Sequence, residues 1–125
     1  PSKELPVDME RLNDFTDGSA DSLRELITLY LQQTGSQIEQ LEAAVAANQP
    51  QDVRRLAHSC AGASATCGMR RLVPLLRELE KQGYEGQLTN AVELCKGVVQ
   101  EFARIREFLA PYLQVPAALA ANPRS

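Results

Sequence analysis

From Leu23 to Val45 the hydrophobic positions keep one phase. Leu23, Leu26, Ile27, Tyr30, Leu31, Thr34, Ile38, Leu41 and Val45 recur at three- and four-residue intervals, the spacing that lays an apolar stripe along one face of an α-helix. Gly35 falls inside this run without disturbing the phase and marks a candidate bend. Ser19 with Asp21 in the following turn can open the helix, and Ser22 with Glu25 is an alternative capping box. Ahead of it, Asp8 has the chemistry of an N-cap for a short helix carrying Met9, Leu12, and Phe15 or Thr16, which Asp17-Gly18 ends.

Asn48-Gln49-Pro50 breaks the pattern, and Pro50 suits the first turn of a new helix because its missing N–H would have no partner there. Val53, Leu56, Ala57, Cys60, Ser64 and Cys67 then form a small, mostly apolar stripe that should stop at Gly68, a residue fitted to the left-handed conformation past a helix end. Met69, Leu72, Val73, Leu76 and Leu79 share a face of a fourth helix. Pro74 either kinks that helix or lies close to its start after a tight turn. Gly83 and Gly86 bracket a loop. Leu88, Val92, Cys95, Val99, Phe102, Ile105, Leu109 and Tyr112 make a last long amphipathic helix that Pro111 should end or bend.

No run alternates strictly as a half-buried strand does. The expectation is an all-α fold, an antiparallel four-helix bundle with a short N-terminal capping helix. Its boundaries are a flexible lead-in at 1–7, the bundle domain at 8–113 and a mobile tail at 114–125. A chain of 125 residues, 44% of them hydrophobic, can close one such core.

Charge narrows the function. A net charge of −3 offers no basic field to hold a polyanion, so nucleic acid is not an expected partner. No apolar run approaches the ~18 residues that span a bilayer, and PSKELP lacks the order of a signal peptide. The chain therefore reads as cytoplasmic, and Pro1 in place of Met is expected of a processed chain or a piece of a longer one. Cys60, Cys67 and Cys95 are odd in number and lack CxxC spacing, which fits three buried thiols rather than a disulfide framework or a zinc site. No metal is expected. With no Gly-rich phosphate loop, no HExxH and no second histidine, the chain is expected to have no kinase activity of its own.

The remaining chemistry sits at Ala57 to Gly68, AHSCAGASATCG, which holds the chain's only histidine. At about 100° per residue His58 falls opposite the apolar stripe, with Arg54 and Arg55 one turn before it and Ala61, Gly62 and Ala65 following on its side. Helical side chains lean toward the N-terminus, so the residue that would cover the imidazole is Gly62. A glycine inside a helix costs about 0.5–1 kcal/mol relative to alanine. Leaving the histidine open to something large and close would justify it.

These residues resemble the signature of histidine-containing phosphotransfer (HPt) domains: His, two residues, Lys-Gly, and a second Gly six positions on. His58, Gly62 and Gly68 match, and Ala61 stands where the Lys is usual. VDMERL at Val7 to Leu12, the run from Leu23 to Val45, and LRELE at Leu76 to Glu80 are also similar to the family, so the resemblance covers roughly Pro6 to Tyr112. It implies a phosphorelay intermediate in which His58 takes a phosphoryl group from the aspartyl phosphate of a receiver domain and returns it to another. The implied partners are response-regulator receiver domains and a hybrid histidine kinase. The chain would need no cofactor of its own, Mg²⁺ being expected on the receiver.

Arg54 and Arg55 are candidate docking charges, and Ser59, Ala61, Gly62 and Ala65 are candidates for the docking face. Counting back equally across the Gln49 loop brings Gln37 and Gln40 beside His58 as candidate hydrogen-bond donors. Glu78 and Glu80 read as a carboxylate pair of the sort that soluble helices carry. The rival reading is a helical adaptor or oligomerisation module in which His58 is incidental.

Overall fold

The computed structural model describes residues 5–114. Its helices are α1 (Met9–Asn13), α2 (Ala20–Ala46), α3 (Pro50–Thr66), α4 (Leu72–Glu85) and α5 (Ala91–Leu113), and no strand occurs among the described residues. None of these helices is long and apolar enough to cross a membrane.

Local chemistry places the ends. The Asp8 carboxylate accepts from the Arg11 N–H at 3.3 Å and starts α1. The Ser19 hydroxyl accepts from the Ser22 N–H at 3.0 Å, which makes Ser19 the cap of α2. Pro50 is the first residue of α3. Gly68, at φ +83°, turns the chain after it. Pro74 is the third residue of α4, inside the turn whose N–H groups need no helical partner, so no kink is required.

Side-chain pairs fix the topology. Tyr30 meets Ser64 and Gln37 meets Ser59 between α2 and α3. His58 meets Glu80, and Gly83 packs against Arg54, between α3 and α4. Arg71 meets Glu101 and Gln82 meets Asn90 between α4 and α5. In each set one number falls as the other rises, so neighbouring helices run antiparallel. Helix α2 also packs on α5, and this closes a four-helix ring. Ile27, Leu41, Val53, Leu72, Leu76, Leu79, Val98, Ile105 and Leu109 are buried inside it. Helix α1 lies across the end where α3 stops, held by the Asp8 N–H donating to the Gly68 carbonyl at 2.8 Å and by Arg11 Nε donating to the Thr66 carbonyl at 3.3 Å.

Several expectations change, among them α1, which stops at Asn13 and leaves Phe15 exposed, and Tyr112, which is exposed near the end of α5. Gly83 does not open a loop: α4 runs through it to Glu85, and Gly86, at φ +77°, ends the helix. Val92 and Val99 are exposed, since α5 begins at Ala91 and its buried stripe is Ala91, Cys95, Val98, Phe102, Ile105 and Leu109. Leu88 precedes that helix and packs half-buried against the core. Pro111 neither ends α5 at once nor starts a new segment, because the helix continues to Leu113. Finally, Pro6 and Val7 are buried, so the described end of the lead-in is packed. Val7 and Leu12, both fully buried, stand at the two positions of a hydrophobic staple around the Asp8 cap. The rest of the lead-in, residues 1–4, and the tail beyond Gln114 lie outside the described residues.

Candidate functional site

Helix α3 is clamped on two flanks and open along one. On the α2 side Gln37 Nε2 donates to Ser59 Oγ at 2.9 Å, and the buried Tyr30 and Ser64 hydroxyls meet at 2.7 Å. On the α4 side the two backbones come very close. A Cβ on Gly83 would lie 2.6 Å from Arg54 N and 2.6 Å from Pro50 O, so only glycine allows this approach. His58 emerges between the flanks with its side chain 69% exposed.

The imidazole is oriented by a neighbour on α4. His58 Nδ1 lies 2.7 Å from Glu80 Oε2, and the other oxygen of the same carboxylate, Oε1, accepts from Arg77 Nη1 at 2.9 Å. The Glu80 side chain is 23% exposed. This partial burial works against its ionisation, but the hydrogen bonds from His58 and Arg77, with their charges, outweigh it and hold the carboxyl below its ordinary value of 4.5. An ionised carboxylate only accepts, so Nδ1 is the nitrogen that carries a proton, and whenever the ring is neutral Nε2 keeps the lone pair.

Gly62 stands where a side chain would lean over that ring, and a Cβ there would meet nothing within 4 Å. The surface beside the histidine is therefore open. Ser59 is exposed and Ala65 half-buried along the same strip.

Ala61 is different: it is fully buried and presents nothing to a partner. It lies about 60° around the helix from His58, on the flank that the Gly83 contact lets α4 cover. Arg54 and Arg55 are exposed but turned to other partners. The Arg54 guanidinium sits 6.0 Å from the centre of the Tyr84 ring, and Arg55 pairs with Asp52 at 3.4 Å. Gln37 is spent on Ser59, and Gln40 donates to Ser36 of its own helix at 3.4 Å. Neither glutamine bonds the imidazole.

Glu80 and Arg77 are the residues that sequence reasoning missed. The signal was present: His58 and Glu80 stand equally far before and after Met69, so the same hairpin count used across the Gln49 loop, applied to the Gly68-Met69 turn, lands on Glu80.

Among the described residues no group of three or more His, Cys, Asp or Glu could hold a metal ion. All three cysteines are buried. Loss of solvation pushes the Cys60 and Cys95 thiols up to about 11 and raises Cys67 as well. They are protonated at neutral pH and poor nucleophiles.

The bundle thus presents one oriented, uncovered imidazole on a helix face. Comparison with known proteins gives that geometry its family. A model of the Hpt domain matches residues 25–108. The fold superposes with a TM-score of 0.81 on the crystal structure of histidine-containing phosphotransfer protein B from Pseudomonas aeruginosa PAO1, at 27% identity, over 87% of this chain and 95% of that one. A search of curated proteins finds no match. The chain belongs to the Hpt family and has a phosphotransfer role in phosphorelays.

Proposed function

We propose that His58 is the phosphoacceptor. The His58 Nε2 lone pair attacks the phosphorus of a receiver's aspartyl phosphate in line, the N–P bond forms as the P–O bond to the aspartate breaks, and the carboxylate leaves with the bonding pair. The Nδ1 proton stays in place, donated to Glu80, whose negative charge stabilises the positive charge that the ring gains. Transfer to a second receiver is the reverse of this step. The chain supplies the nucleophile and its orientation. The receiver supplies the phosphoryl group and, with its Mg²⁺, most of the charge neutralisation that phosphoryl transfer demands. This division gives the chain no kinase activity and no cofactor of its own. Its partners are then the receiver domains of response regulators and of a hybrid histidine kinase.

The observation that carries this reading is the pairing of Nδ1 with Glu80 on a ring that Gly62 leaves uncovered. It supports Nε2 as the nucleophilic nitrogen, since Nδ1 is engaged and the ring is open above. The test is to mix the chain with a ³²P-labelled receiver and follow the label. Wild type is expected to take label that is acid-labile and base-stable, as phosphohistidine is, and His58→Gln to fold and take none. Label on the His58→Gln chain would falsify the assignment by placing the acceptor elsewhere, and an unlabelled wild type would overturn it in favour of an adaptor role.

A further inference from the structure

Phosphorylation of His58 would place a group of charge about −1.5 to −2 beside the carboxylate of Glu80. Two like charges one ring apart repel, so the phosphorylated state needs a cation at this site. The residue one turn C-terminal to the histidine on the α4 side is Ala61, and it is a buried methyl. Arg54 lies on Tyr84 and Arg55 on Asp52.

The register of α3 against α4 points to another source. Gly83 packs on the backbone of Arg54 and Glu80 meets His58. Continued by one turn, the same antiparallel count sets Arg77 opposite Ala61. Arg77 is 46% exposed, and its hydrogen bond among the described residues is the one from Nη1 to Glu80, the carboxylate that also holds the imidazole. A guanidinium has five N–H donors in a planar fork, so it can keep Glu80 and still present N–H groups to phosphoryl oxygens.

Resting on the assignment of His58 as phosphoacceptor, we infer that Arg77 is a phosphoryl-positioning residue: it supplies from α4 the cation that α3 lacks. In the resting protein it neutralises Glu80. In the phosphorylated protein it shares its donors between Glu80 and the phosphoryl group on Nε2, and offsets the repulsion between them.

The experiment uses phosphoramidate, a small donor that needs no receiver, and follows the phosphohistidine by ³¹P NMR as pH is varied. Removing a nearby cation favours the protonated phosphoryl group, so Arg77→Ala should raise the phosphoryl pKa by about half a unit or more. Phosphate partition between a receiver and the chain should shift about threefold to tenfold toward the receiver. Arg77→Lys should restore most of both, and Lys96→Ala, which removes an exposed cation on α5, should move neither. Repeating Arg77→Ala in a Glu80→Gln background separates direct action from action through Glu80: the shift should persist. An unchanged phosphoryl pKa in Arg77→Ala, or a shift that disappears in the Glu80→Gln background, overturns the inference while leaving His58 as acceptor. Failure of wild type to carry phosphate on His58 from phosphoramidate and from a phospho-receiver overturns both readings together.

Discussion

Gly83 lies against the backbone of Arg54, so close that a Cβ would fall 2.6 Å from the Arg54 nitrogen. This contact sets how deeply α4 seats against α3, and therefore whether Glu80 reaches the histidine one turn away. Gly83→Ala gains helix propensity but must push the two backbones apart. A net loss of about 1–3 kcal/mol is expected, as for overpacking generally. Chemical denaturation measures it. Weakening of the His58 Nδ1 to Glu80 hydrogen bond, seen in the imidazole ¹⁵N spectrum, should accompany it. A variant as stable as wild type would mean that the helices part at little cost.

Glu80→Gln leaves the fold in place but replaces a carboxylate that can only accept with an amide that can turn either its oxygen or its NH2 toward Nδ1. Nε2 then carries the lone pair for only part of the time. Transfer from a receiver is expected to slow about fivefold to tenfold, the effect of losing ~1–1.4 kcal/mol of orientation. Single-turnover kinetics at neutral pH would show it, and equal rates would remove Glu80 from the mechanism.

The pH dependence has a definite sign. The Glu80 carboxyl is held below its ordinary 4.5, because its hydrogen bonds to His58 and Arg77 outweigh its partial burial. A depressed carboxylate contributes stability that is present above the unfolded value and lost as pH falls through the lowered folded value. The His58–Glu80–Arg77 contact should thus survive mild acid and fail only as pH falls below the ordinary glutamate value of 4.5. A ¹³C titration of the Glu80 carboxyl with its midpoint at or above 4.5 contradicts this.

Gly62 has open space above it, so Gly62→Leu adds a side chain without a clash at Cβ. Stability should hold or rise by up to about 1 kcal/mol from helix propensity. Transfer from a receiver should fall sharply, since the new side chain leans over the imidazole. Phosphoramidate, being small, should be hindered much less. Equal slowing with both donors would mean that the leucine disturbs the ring itself rather than access to it.

The bundle was legible because its stripes are long. Nine positions in phase from Leu23 to Val45, the caps Asp8 and Ser19, and Pro50 in the first turn of α3 leave little choice of element. His58 and Gly62 were legible because a helical wheel needs only the residues of one helix. The errors came where two helices meet. Gly83 reads as a loop residue until the backbone it must admit is known, and Ala61 reads as surface until α4 is laid over it. Val92 and Val99 misled because a stripe drawn through apolar residues alone does not know where its neighbours stand. Glu80 and Arg77 look like ordinary surface charges, and only the register of α3 against α4 brings them to the histidine.

Arg54 and Arg55 flank His58 by one turn but are engaged with Tyr84 and Asp52, so their part should lie in encounter rather than chemistry. Exposed charges of this kind contribute about 0–1 kcal/mol each, and that contribution is screened by salt. Arg54→Ala and Arg55→Ala should each weaken binding of a receiver by about fivefold or less. The loss should show in the association rate and shrink as ionic strength rises, with the transfer rate inside the complex unchanged. Stopped-flow transfer at low and moderate salt, with receiver both limiting and saturating, separates the two steps. A slower step at saturating receiver would move either arginine into the reacting site and take from Arg77 its place as the cation there.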